Sequence, residues 1–246
     1  MSLFNHQTSN PAFSNGVWKG YTSYDNKMTL NGIILKTLFC LILVGITTWY
    51  VWDLVHQGVN VKWHTSLGLL AAIVLSILTS YKHKWAKYTA PLYSIAKGFF
   101  LGGFSAYAEL QFEGMPMRAV GVTILTFFVM LFLYKLKVIK VTKQFRSVII
   151  SATITIMIIY FISWILSFFG ISATLIYGTS WFAIGFNIIA ACVASLALLL
   201  DFDFIERKIN QAPKYMEWVA TWGLLVTLIW LYVEVLRLMK KLAIRF

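Results

Sequence analysis

Acidic residues are scarce in this chain: nine Asp and Glu stand against 21 Lys and Arg in 246 residues, and charges of both signs make up only 12% of it. Apolar residues reach 59% and mean hydropathy is +0.75, well above the apolar share of about 45–50% typical of a soluble domain. Only two cysteines are present, Cys40 and Cys192. Both lie in apolar runs where a thiol behaves as a small hydrophobe, which excludes a disulfide framework. The four histidines, His6, His56, His64 and His83, are placed in the N-terminal tail or in loops. They form no His-x-x-x-His or Glu-x-x-His pair that could hold a metal between helices. No Gly-x-Ser-x-Gly elbow, phosphate loop or paired-aspartate protease motif occurs. An enzyme is therefore not expected, nor is a cofactor or a metal.

What the chain does have is length of apolar run. A membrane crossing needs about 20 mostly apolar residues, and stretches of that order lie at 33–52, 65–81, 88–108, 117–134, 147–168, 180–200 and 218–239. The second is the shortest. The pattern predicts an all-α polytopic membrane protein, a seven-transmembrane-helix bundle whose first partner is the lipid bilayer. No repeat, low-complexity tract or long linker interrupts it, so residues 29–246 are expected to form one transmembrane domain behind a polar, cytoplasmic leader at 1–28. The leader has no uninterrupted apolar core of the kind a cleaved signal carries, and the first span is expected to double as an uncleaved signal.

A formal charge of +12 could suggest nucleic acid, but the basic residues sit between the spans and not on one face of a soluble module, so no nucleic-acid partner is expected. Lys82, Lys84 and Lys87 follow the second span, and Lys135, Lys137, Lys140, Lys143 and Arg146 follow the fourth. The intervening loops hold only Lys62 and Arg118, and none of their charge follows the fifth span. The positive-inside rule then places the N-terminus and the even-numbered loops in the cytoplasm. Seven spans would leave Arg237, Lys240, Lys241 and Arg245 on the other side, a conflict that a re-entrant or weakly crossing C-terminal segment would remove. Trp49, Trp63, Tyr81, Trp85 and Trp181 stand at span edges as interface anchors.

Ionisable groups at membrane depth cost at least about 2.5 kcal/mol on insertion scales and point to function by default. Lys36 is one turn into the first span and can snorkel to the interface. Glu109, with Glu113 beyond it, could form an acidic mouth that concentrates cations, or simply a wetted helix end. Glu234 precedes Arg237 by three residues, a spacing that permits a helical ion pair.

Asp201 directly follows the apolar run 190–200, and the helix is expected to continue to about Asn210 before Pro213 turns the chain. Its carboxylate then lies about 13 Å from the helix end, inside the bundle. Asp203 and Arg207 can pair with each other on the exposed side, while Glu217 falls level with Lys208 and is expected to be its partner. Thr227 falls near the level of Asp201 on the last helix. Lys97, about two turns into the third span past Pro91, matches the depth of Asp201, and a buried ion pair between them is expected. Such a pair is either a costly device for structural specificity or a latch that opens a polar path when Asp201 is protonated. Gly98, Gly102, Gly103 and Ser105 on the same helix allow close backbone approach.

Several segments carry a family resemblance. They are Asn10-Pro-Ala-Phe, Met28-Thr-Leu-Asn-Gly, Gly98-Phe-Phe-Leu-Gly-Gly-Phe-Ser, Ile139-Lys-Val-Thr-Lys-Gln-Phe, Leu200-Asp-Phe-Asp-Phe-Ile and Ala212-Pro-Lys-Tyr-Met-Glu-Trp, the last running on into Leu224-Leu-Val-Thr-Leu-Ile-Trp-Leu-Tyr. Together they resemble the Bax inhibitor-1/YccA-like, or transmembrane Bax inhibitor motif, proteins, in particular a bacterial branch, over nearly the whole chain. The resemblance implies a seven-helix bundle with the last helix near its centre and a pH-sensitive calcium leak controlled by two aspartates, one on each of the last two helices. Asp201 matches the first of these. Thr227 stands in the place of the second and cannot ionise, and Lys97 replaces an acid of that branch. The function implied is a cation leak, calcium being the expected ion, with Asp201, Lys97, Thr227, Glu217 and Glu109 as residues of the path or its gate, in a bacterial inner membrane. The alternative is a non-conducting regulator that binds another membrane protein such as a quality-control protease.

Overall fold

A computed structural model describes residues 27–169 and 178–245, and within them the regular elements are seven α-helices and a short 3₁₀ turn. They are α1 (Leu30–His56), α2 (Lys62–Tyr81), α3 (Ala86–Glu109), α4 (Met115–Lys135), α5 (Lys143–Phe168), α6 (Trp181–Lys208) and α7 (Met216–Arg245), with the turn at His83–Trp85. Each expected span lies on one of these helices. The polar leader falls outside the described residues except for Lys27 and Met28. Six helices are long and apolar enough to cross a membrane. The exception is α3, in which Lys87, Pro91, Lys97 and three glycines dilute a run of 24 residues.

Helix ends follow local chemistry. Thr29 caps α1, its hydroxyl accepting from the Gly32 amide at 3.1 Å, and Thr142 caps α5 by accepting from Phe145 N–H at 3.1 Å. Gly114, at φ 73°, makes the turn into α4, whose first turn holds Pro116. Beyond the end of α6, Asn210 adopts φ 62°, a left-handed conformation that Asn tolerates, and Pro213 lies in the turn before α7. His56 and His64, expected in loops, are the last residue of α1 and a first-turn residue of α2.

The contacts divide the chain into two compact units. In the unit that contains α1, α2 and α3 with residues 204–226, both α1 and α2 pack on α3 through small residues. A Cβ at Gly102 would meet Val51 Cβ at 2.6 Å, one at Gly68 would meet the Ala96 carbonyl at 2.7 Å, and Gly98 and Gly103 lie against Thr47 and Thr65. Glycine at these places lets the backbones approach. The strand-like segment before α1 is tied to the turn before α7, with Met28 N–H donating to Ala212 O at 2.8 Å and Asn210 N–H to Met28 O at 3.1 Å.

In the unit that contains α4, α5, α6 to Asp203 and α7 from Thr227, the core is built by Ile149, Ile150 and Ile156 of α5 against Ala190, Val193, Ala197 and Leu200 of α6. Phe127 of α4 meets Phe202 of α6 edge to face at 5.5 Å. In the most apolar stretch of each span, 83% of α7 residues are buried, against 11–28% for α1, α2, α4 and α5. Of the six helices of spanning length the last is thus the most enclosed, while α1, α2, α4 and α5 turn apolar faces outward. It is helical from Met216 to Arg245.

Candidate functional site: enclosed charges in the helices

Asp201 is fully buried, and Thr227 Oγ1 donates to its Oδ2 at 2.5 Å. The bond is about twice as strong when the carboxylate is ionised as when it is protonated. Its neighbours on α6, Leu198, Leu199 and Leu200, are also fully buried. Lys97 belongs to the other unit, where its ammonium lies over the rings of Tyr93 and Phe100, 5.7 and 5.4 Å from their centroids. The latch between Lys97 and Asp201 stays a proposal. Glu109 is the half-buried last residue of α3, and Glu113 beyond it is exposed.

Three other expectations are corrected. Glu217 does not take Lys208 as its partner. It is fully buried, forms an ion pair with Lys36, and accepts from Thr29 N–H at 2.9 Å and Thr29 Oγ1 at 3.0 Å. Gly32 makes room for this carboxylate, because a Cβ there would collide with it. Lys36 turns its ammonium to this carboxylate, while the Lys208 ammonium lies 5.9 Å from the Phe204 ring. Asp203 is not on an exposed side: it is buried and takes a bond from Arg146 Nη2 at 2.6 Å. Arg146 is therefore a helix-embedded partner in α5 and not a loop charge. The physical reason is common to all three. A carboxylate enclosed by helices must be neutralised by whichever cation tertiary packing brings to it, and local spacing does not decide which.

The sequence reading missed a further polar node. Glu234 was given a simple pair with Arg237, which the structure holds at 3.5 Å. The fully buried carboxylate also accepts from Tyr160 Oη at 2.7 and 2.8 Å, Asn187 Nδ2 at 2.9 Å and Trp230 Nε1 at 3.1 Å. Groups from α5, α6 and α7 thus converge on one side chain. The available signal was the presence of Tyr160 and Asn187 within otherwise apolar runs. Further along α7 at intervals of four residues, Lys241 donates to Ala183 O at 3.1 Å and Arg245 to Thr179 O at 2.8 Å. Both cations thus bond to backbone carbonyls of the segment that leads into and begins α6. Among the described residues no group of three or more His, Cys, Asp or Glu side chains could hold a metal ion.

Apolar helices of spanning length, with carboxylates and their counter-charges enclosed among them, define a multi-pass helical membrane protein. The chain belongs to the Bax inhibitor 1 like family, whose model matches residues 10–244. Neither the curated proteins nor the solved structures searched give a match.

Proposed function

We propose that this protein is a pH-influenced cation leak, calcium being the ion, with a polar path centred on Asp201 in a bacterial inner membrane. In this reading α3 is the seventh crossing, the N-terminus is cytoplasmic, and no enzymatic step is involved. The observation that carries it is the fully buried Asp201 carboxylate held by Thr227 within two apolar helices, since a charge at such depth is costly and points to function. Membership of the Bax inhibitor 1 like family supports it.

The closed state is the one with the Asp201–Thr227 contact made. An ionised carboxylate accepts the threonine proton strongly, and a protonated one accepts it weakly, so acidification loosens the contact between α6 and α7. Thr227 cannot ionise, so the response rests on a single carboxyl group. Calcium flux into proteoliposomes, for wild type and Asp201→Asn, tests this reading.

A second reading is a non-conducting regulator that restrains another membrane protein. The complete burial of Asp201 and of Leu198, Leu199 and Leu200 on the same helix favours it, because a closed apolar core offers an ion no hydrated passage. Co-purification of a membrane protease with a protein silent in flux would select it.

A further inference from the structure

The turn between α2 and α3 carries Lys82 and Lys84, and Lys87 follows in the first turn of α3; none of them has an ion-pair partner among the described residues. Tyr81, Lys82, His83, Lys84, Trp85 and Tyr215 line an open surface depression of about 300 Å³. No carboxylate lines it. The Lys82 ammonium lies 4.3 Å from the Trp85 ring centroid, and that of Lys87 lies 4.6 Å from Tyr88. Stacking of this kind holds the cations close to the rings. Tyr81, Trp85 and Tyr88 are 81%, 51% and 62% exposed, the placement of aromatic rings at the boundary between hydrocarbon and headgroups. From this rim the exposed side chains of Leu70, Val74 and Ile77 run down α2, an apolar track that a lipid chain can follow.

We propose that this hollow binds the phosphate of an anionic phospholipid, with Lys82 and Lys84 holding the headgroup, Trp85 and Tyr81 flanking it, and the acyl chains lying along α2. Basic residues close to an anionic surface strengthen attraction to it. The flanking rings and the apolar track set the site apart from a solvated run of lysines. The proposal is independent of ion conduction.

Native mass spectrometry of the full chain, released from detergent with dioleoyl phosphatidylglycerol or dioleoyl phosphatidylcholine, tests it. Wild type should retain one phosphatidylglycerol at least fivefold more than phosphatidylcholine. Lys82→Gln/Lys84→Gln should lose that preference, whereas Lys135→Gln/Lys140→Gln, which removes the same charge from another loop, should keep it. Lys84→Glu, a single exposed change, gives the same reading if the double variant does not assemble. Millimolar inorganic phosphate should leave the bound lipid in place. Equal loss in both double variants, no preference between the two lipids, or displacement by free phosphate would overturn the proposal.

Discussion

Thr227 Oγ1 donates to Asp201 Oδ2 at 2.5 Å, joining α7 to α6 at a point where both side chains are closed to solvent. A hydrogen bond to a charged group contributes about 1.5–3 kcal/mol, and removing one partner leaves the other unsatisfied. Thr227→Val should therefore destabilise the protein by roughly 2 kcal/mol in reversible unfolding from detergent, while Thr227→Ser keeps most of the wild-type stability. An unchanged unfolding midpoint in Thr227→Val would show that the contact is not energetically significant.

Arg146 and Asp203 form a buried pair, and breaking such a pair from one side costs about 3–5 kcal/mol because a charge is left enclosed. Arg146→Met is expected to lie in that range. Arg146→Met with Asp203→Leu should recover most of the loss, because no uncompensated charge remains. Equal destabilisation of the single and double variants would mean that packing, and not charge, sets the cost.

The groups that converge on Glu234 should act as a unit. Tyr160→Phe and Asn187→Leu each remove one donor from the same carboxylate. In a double-mutant cycle their effects on unfolding free energy should depart from additivity by at least about 0.5 kcal/mol. Additivity within about 0.3 kcal/mol would indicate independent contacts.

Burial pushes the His83 imidazole below its usual value, outweighing a hydrogen bond to the Ser80 backbone that acts in the opposite direction. Below the ordinary histidine value of about 6.5, the unfolded chain binds a proton that the folded chain resists. The stability associated with neutral His83 is thus complete above that pH and is lost as the pH falls through the folded value. Thermal unfolding between pH 7.5 and pH 5 should show a smaller decline for His83→Gln than for wild type. Identical declines would remove His83 from the account.

The helices were legible because hydrophobic length is written residue by residue: each expected span falls within one helix, extended by a few residues at the ends. Asp201 was legible for the same reason, as a charge placed directly after an apolar run and within reach of Thr227 across one hairpin. Glu217 was not. Its partners Thr29 and Lys36 are 188 and 181 residues away, and no periodicity links them. Arg146 was hidden because it reads as the last of a loop cluster, although α5 already begins at Lys143. Lys241 and Arg245 likewise donate to the carbonyls of Ala183 and Thr179, 58 and 66 residues away, and no periodicity links them.

Calcium flux into proteoliposomes at pH 6 and pH 8, for wild type and Asp201→Asn beside protein-free vesicles, tests the central claim most directly. The leak account predicts wild-type flux above the vesicle background and greater at pH 6, with the difference between the two pH values lost in Asp201→Asn. Flux indistinguishable from protein-free vesicles for both proteins, or an unchanged pH response in Asp201→Asn, would contradict it.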